Sequence, residues 1–265
     1  MLDTWDCGPD PRLRHVVRRF SERLLDAGGQ EFRRALPARR KQFLQFLVAG
    51  SHDILDRASG SRSVIPAVTV VGPQSYRRID LAAQGRLRVF IVELQPTAFH
   101  ALTRLPMHEL ADNYLDAAQL GGPLPGELAG QLREEAGFAA RVRRAENALL
   151  PLAEQVRPDG VSRAAALLCR AGGRVPVGLL AQAAELSPRQ LERRFEQQVG
   201  FAPRRYARVV RLELAMALRE KHPDWPLTRI AHAAGYADQA HFNREHRAMV
   251  DEALGRYVRH RLLGS

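Results

Sequence analysis

Arg189, Glu192 and Arg193 are followed about fifty residues later by a second polar set, Gln239, His241 and Arg244, in which Arg244 matches Arg193. A guanidinium suits the O6 and N7 acceptors of guanine, a carboxamide suits adenine, and a carboxylate can accept from the cytosine amino group. Placed on one helix face, such side chains could read base edges in a DNA groove. Each also has a plainer use. Glu192 can orient Arg189 or Arg193 in an ion pair, the simpler reading of that residue. His241 can touch phosphate, and Arg193 or Arg244 can serve a structural ion pair. Arg194 extends the first basic face. Arg204, Arg205 and Arg208 could bind phosphates, or form a solvated helix face.

The elements that would position these groups come from a duplication. Leu180-Ala-Gln-Ala-Ala-Glu-Leu-Ser187 and Leu191-Glu-Arg-Arg-Phe195 return as Ile230-Ala-His-Ala-Ala-Gly-Tyr-Ala237 and Phe242-Asn-Arg-Glu-His246. Ala181 maps onto Ala231 with an offset of 50, and Leu191 onto Phe242 with an offset of 51, so the second turn holds one extra residue. Both copies read as a helix-turn-helix, with recognition helices at about 188–198 and 239–249. Ser187 is a favoured N-cap, and Pro188 at the next position gives up only an N–H that would be orphaned anyway. Leu186 and Leu191 can staple that helix start. Asp238 is the second cap, and Gly235 takes the sharp turn where positive φ is cheapest. Arg204 to Lys221 reads as one helix, apolar on several sides (Tyr206, Val209, Val210, Leu212, Leu214, Ala215, Met216, Leu218) and hence sandwiched.

The charge distribution points the same way. The net charge is +11; the last 109 residues hold 19 of the 40 basic and 11 of the 29 acidic side chains, a surplus of eight against three in the preceding 156. A basic surplus attracts polyanions by counterion release. Nearly all the bases are Arg, as a GC-rich genome would write them, but that does not explain why they gather at one end.

These residues carry a resemblance. The pattern Leu191-x-Arg193-x-Phe195, Gly200, Pro203, Tyr206, Arg211, Ala215, Ile230-Ala231, Gly235-Tyr236, Phe242-x-Arg244 and Tyr257 resembles the DNA-binding domain of AraC-family transcriptional regulators, over about residues 160–260. It implies two recognition helices in adjacent major-groove segments about one helical turn (~34 Å) apart. Three further segments, Val70-Val-Gly-Pro-Gln74, Phe90-Ile-Val-Glu-Leu-Gln-Pro96 and Leu105-Pro-Met-His-Glu-Leu110, resemble an N-terminal domain often attached to such regulators. They imply a β-barrel-like, cupin-like module with flanking helices and a sensing or dimerising role. The expected architecture is therefore multidomain α+β: residues 1–156 for sensing and dimerisation, and 157–265 for an all-α tandem helix-turn-helix. The partners implied are double-stranded DNA, RNA polymerase, a small-molecule effector and a second copy of the chain. The second helix pair departs from the pattern: His246 replaces a buried aromatic, Asp251 a glycine and Leu254 a proline. The turn after its recognition helix is therefore expected to be built differently from the first.

The first 125 residues alternate apolar runs with turn residues. Strands are expected at Lys41–Val48, Val64–Val71 and Leu87–Leu94, and short helices at Thr97–Thr103 and around Met107–Ala118. From Glu127 to Val156 a helical stripe (Leu128, Leu132, Ala139, Val142, Leu149, Leu152, Val156), split at Gly137, can pack on the sheet or form a subunit interface. Arg157-Pro-Asp-Gly160 is the expected linker, and Val161–Ala171 the next helix.

Other chemistry is faint. Composition is that of a globular protein, 45% hydrophobic and 26% charged, with no window long enough to span a bilayer and acids where a secretion signal would carry bases. Cys7 and Cys169 are too few and too far apart for a disulfide framework or zinc motif, which points to a reducing cytoplasm. His108-Glu109 lacks the second His of a zinc protease helix, and Asp112 and Asp116 read as solvated acids. There is no phosphate-binding glycine loop and no nucleophile beside a base, so neither an enzyme nor a cofactor is expected. Met107, Phe90 and Phe99 read as core, and nothing marks an effector pocket. Two other classes stay open: a protein-interaction module that has lost specific DNA binding, and a DNA-repair methyl acceptor using Cys7.

Overall fold

The computed structural model describes residues 2–120 and 124–251. The Gly-Gly-Pro of the break at 121–126, and Leu254 and Tyr257 of the repeat, lie outside them. The chain begins with strands β1 (Leu2–Cys7), β2 (Val17–Asp26), β3 (Phe32–Ala35), β4 (Gln42–Ala49), β5 (His52–Asp56), β6 (Arg62–Val64), β7 (Val68–Val71), β8 (Ile79–Ala83), β9 (Arg86–Leu94) and, after helix α1 (Ala98–Thr103), β10 (Tyr114–Asp116). They form two antiparallel sheets, in the orders β1-β2-β9-β4-β7-β10 and β3-β8-β5-β6.

Strand β9 shows why the layers stack as they do. Its side chains alternate: Phe90, Val92 and Leu94 turn toward the helices, while Leu87, Val89 and Ile91 turn toward the second sheet. A strand buried on both faces reads as a continuous apolar run. The N-terminal part is thus a double-sheet, barrel-like module with helices on one outer face, as the resemblance implied.

Two expectations need correction. Val64–Val71 is not one strand: Val64 ends β6 in the four-stranded sheet and Val68 begins β7 in the six-stranded one. Between them sits Pro66, which has no N–H for a ladder and marks the crossing. Met107–Ala118 is not a helix either. Met107–Glu109 and Ala117–Leu120 are single 3-10 turns, and Tyr114–Asp116 pairs with β7 instead.

The helical stripe divides where expected, into α2 (Leu124–Glu134) and α3 (Phe138–Ala153), with Gly137 as the extended N-cap of α3. Leu128, Leu132, Val142, Leu149 and Val156 are buried against the sheet core, so packing on the sheet uses the stripe. Ala139 faces solvent and Leu152 is half-buried. One charged group locks the layer. Arg141, 3% exposed, donates from Nη1 to both oxygens of Glu22 on β2 (2.9 and 3.1 Å), from Nε to the Leu132 carbonyl (2.8 Å) and from Nη2 to the Glu135 carbonyl (2.6 Å).

Beyond residue 159 come α4 (Gly160–Arg170), α5 (Val177–Ala184), α6 (Pro188–Val199), α7 (Pro203–Lys221), α8 (Leu227–Ala233) and α9 (Gln239–Val250). Helix α7 buries Tyr206, Val209, Val210, Leu212, Ala215 and Met216, and is sandwiched as its many-sided apolar surface predicts. Ala38, from the segment between β3 and β4, is buried in this same helical core. Among the described residues no helix is long and apolar enough to cross a membrane.

Removing Arg141 leaves the buried Glu22 carboxylate with only the longer, 3.7 Å pair to Arg88. Arg141→Ala should therefore cost about 3–5 kcal/mol in urea unfolding. Arg144→Ala, which breaks the more exposed pair with Glu135, should cost under about 1 kcal/mol. Equal losses would show that Arg141 does not carry the α3–sheet contact.

Candidate nucleic-acid interface

Both helix pairs turn by the same hydrogen bonds. After α5, the N–H groups of Glu185 and Leu186 donate to the carbonyls of Gln182 and Ala181; after α8, those of Gly235 and Tyr236 donate to His232 and Ala231. This is the paired closure of a left-handed helix end. The left-handed position is Gly235 (φ 87°) in the second copy and Glu185 (φ 58°) in the first. The tandem therefore repeats in backbone geometry even where the residue type changes.

Each recognition helix then starts on a capping side chain. Ser187 accepts from the Gln190 N–H (3.3 Å) while Gln190 Oε1 accepts from the Ser187 N–H (3.0 Å), satisfying two otherwise orphaned donors. Asp238 accepts from the His241 N–H at 2.6 Å, and that bond holds its carboxyl below the usual range. Leu186 packs on the same core as the buried Leu191.

The inward faces match across the repeat. Leu191, Phe195 and Val199 of α6 are buried, as are Phe242, His246 and Val250 of α9. His246 fills the slot of Phe195 and packs edge-on to Phe242, with ring centroids 5.9 Å apart. The turn after α9 corrects the expectation of a different construction. Asp251 adopts the left-handed conformation (φ 55°) and its N–H donates to the Arg247 carbonyl, as Gly200 (φ 97°) does to Glu196. The second copy makes the same cap with a residue that favours it less.

The outward faces carry the residues expected to contact DNA. Arg189, Glu192, Arg193 and Arg194 on α6 and Arg244 on α9 are exposed; Gln239 and His241 are half-buried. Among the described residues the guanidinium groups of Arg189, Arg193, Arg194 and Arg244 have no hydrogen bond or ion pair, and Glu192 pairs with neither Arg189 nor Arg193. His241 spends part of its surface edge-on to Tyr236 (5.3 Å). Of the α7 arginines, Arg204 is exposed. Arg205 lies over the Phe201 ring and 3.9 Å from Asp112. Arg208 is not a free phosphate ligand: it forms a two-pronged pair with Glu245 of α9, both bonds 2.8 Å. Asp112 is likewise no solvated acid, since it accepts from the Ser75 N–H and hydroxyl.

Two exposed residues of α9, Asn243 and Arg247, were not singled out from the sequence. The 51-residue offset sets Asn243 opposite Glu192, the signal that could have found it.

The far ends of both recognition helices are seated on the N-terminal part. The Val199 carbonyl accepts from Gln42 Nε2 (3.0 Å), and a Cβ on Gly200 would lie 2.9 Å from the Met107 carbonyl oxygen. At the matching place in α9, the Met249 carbonyl accepts from the Ala38 N–H (3.1 Å), and Asp251 pairs with Arg57. The capped N-terminal ends, where the arginine rows begin, are exposed.

Comparisons with known proteins agree with this geometry. A family described as "Helix-turn-helix domain" matches residues 180–260, and a "Domain of unknown function (DUF6597)" matches residues 6–116. The HTH-type transcriptional activator RhaS of Pectobacterium carotovorum subsp. carotovorum (strain PC1) is 37% identical over 76 residues, 29% of this chain and 27% of that relative. The fold is similar to ToxT from Vibrio cholerae. One crystal form gives a TM-score of 0.51 at 8% identity, over 98% of each chain. The complex with (E)-4-(8-methylnaphthalen-1-yl)but-3-enoic acid gives 0.51 at 9%, again over 98% of each.

Gly235→Ala should cost about 1–2 kcal/mol, the ordinary penalty of a Cβ in a left-handed turn, since the Arg174 side chain it meets can move aside. Gly200→Ala should cost more, because the neighbouring Met107 oxygen belongs to the backbone. Denaturant unfolding of the two variants checks the order; the reverse order would show that α6 is not seated on that carbonyl. Taken with the repeated caps and turns, the matches make residues 180–260 a helix-turn-helix domain of the AraC type.

Proposed function

We propose that the protein is a sequence-specific DNA-binding transcriptional regulator whose helices α6 and α9 enter successive major-groove segments. The observation that carries this reading is the pair of outward faces. Arg189, Arg193 and Arg194 on one, and Arg244 and Arg247 on the other, are exposed without a hydrogen bond or ion pair to any described residue. A protein that used these helices only for its own packing would have no need of guanidinium groups there. Arg189, Glu192, Arg193, Gln239, His241 and Arg244 face the bases in this reading, and Arg194, Arg204 and Arg205 the phosphates.

The chain divides in this reading near residue 157. Asp159 opens the helical part, its side chain accepting from the Ser162 N–H at 2.9 Å as a capping box. The N-terminal part would sense a small molecule. The ToxT fold supports this, since one of its crystal structures holds an aromatic butenoic acid. A homodimer and contact with RNA polymerase rest on the AraC-type resemblance; sedimentation that finds only monomer at micromolar concentration removes the first. The methyl-acceptor alternative loses ground at Cys7, whose thiol is pushed up by burial and then by Glu146 and Asp6. A reactive thiol needs the opposite surroundings.

Genome-wide mapping of bound DNA, followed by footprinting of a recovered fragment, tests the reading. Protection should cover about two major-groove segments and weaken steeply with salt. Protection that is absent, or that follows no sequence, would overturn it. Arg193→Ala should weaken the specific complex by about 1–3 kcal/mol and relax selectivity at one base pair. An equal loss on every sequence in a mobility-shift titration would move Arg193 to the backbone instead.

A further inference from the structure

The two recognition helices are tied to the spacer α7 in different ways. Helix α6 runs into α7 through the short turn at Gly200, and its Phe195 ring lies edge-on to Tyr206 of α7, with centroids 5.5 Å apart. Helix α9 has no such direct run of chain, since α8 and two connecting segments separate it from α7. At the slot of Phe195 it carries His246, whose ring packs on Phe242 of its own helix.

A charged pair joins α9 to α7. Arg208 donates from Nε to Glu245 Oε2 and from Nη2 to Glu245 Oε1, both at 2.8 Å. Two parallel bonds to one carboxylate fix direction as well as distance. The Glu245 side chain is 16% exposed and that of Arg208 45%, so water screens the pair only in part. The 51-residue offset sets Glu245 opposite Arg194, which is exposed on α6 without a hydrogen bond or ion pair to any described residue. One helix position thus offers a guanidinium to the outside in the first copy and a carboxylate to its own spacer in the second. Three residues along α7, Arg211 donates to the Gly173 carbonyl (3.2 Å) and lies 5.9 Å over the ring of Tyr236, in the turn before α9. Residues three apart share a helix face. One face of α7 therefore grips both the turn and the recognition helix of the second pair.

We infer that the Arg208–Glu245 clasp positions α9 for its half of the DNA site, so that selectivity in the segment read by α9, and only there, depends on two residues that read no base. The inference rests on the regulator reading above and adds the device that aims its second helix. A purely electrostatic role would look different. Removing the Glu245 charge would then tighten binding to the polyanion on every sequence, and removing that of Arg208 would loosen it. A clasp makes both substitutions act in one direction.

Two measurements on the full chain test it. Amide hydrogen exchange without DNA should run about three- to fivefold faster through α9 in Glu245→Ala and in Arg208→Ala, with α6 unchanged. The double variant should be no faster than either single one, because both break the same contact. On a fragment recovered by the genome-wide mapping, both variants should discriminate base changes in the α9 segment several-fold less than the wild type. Changes in the α6 segment should be discriminated as before. Arg208→Lys, which keeps the charge but not the two-pronged geometry, should lose less than Arg208→Ala. Should an alanine variant fail to fold, Glu245→Gln or Arg208→Lys is measured in its place. Unchanged exchange in α9, equal acceleration in α6, or opposite shifts in affinity on all sequences would overturn the clasp. A wild-type chain that binds no sequence selectively overturns the regulator reading, and the selectivity role with it; exchange, which uses no DNA, decides the clasp by itself.

Discussion

Each recognition helix is held at both ends by capping hydrogen bonds, from side chains at the start and from backbone at the finish, that owe nothing to the guanidinium groups of its exposed arginines. Ser187 and Asp238 close the N-terminal ends, and left-handed residues, Gly200 and Asp251, close the C-terminal ends. Buried residues at matching positions then set the roll of each helix about its axis. The orientation of the arginine rows follows from these constraints, so a surface side chain can change without disturbing the helix that presents it. A DNA-reading scaffold needs that separation between what holds the helix and what it displays.

The N-terminal part meets the other end of this arrangement. The C-terminal ends of α6 and α9 rest against it at equivalent places, near Gln42 and Met107 in one copy and Ala38 and Arg57 in the other. Arg40 with Glu213 adds a third tie, to the helix between the two pairs. A helix seated by a few hydrogen bonds and one alanine is positioned without being fused. The sheets themselves are fastened far more firmly, with β9 buried on both faces and Arg141 bonded to Glu22 beneath α3.

The helical part was legible because its signals are local. Caps, left-handed turns and the three-to-four-residue apolar period act within one or two turns of chain, and the duplication states each of them twice. The strands were harder to read. β9 and β4 stood out as apolar runs, but Met107–Ala118 looked helical, and Val64–Val71 looked like one strand because pairing partners lie far away in sequence. Arg208 reads equally as a phosphate ligand or part of a solvated helix face, because its partner, Glu245, is 37 residues distant.

From its sequence alone the chain determined two helix-turn-helix units, where their recognition helices begin, and which of their side chains turn inward. Periodicity and capping are short-range, so residue order suffices for them. Only the tertiary structure decided that Pro66 divides a strand between two sheets, that Asp251 repeats the cap of Gly200, and that Arg208 of α7 closes on Glu245 of α9. Those outcomes depend on which distant segments come to lie side by side, and residue spacing carries no record of that.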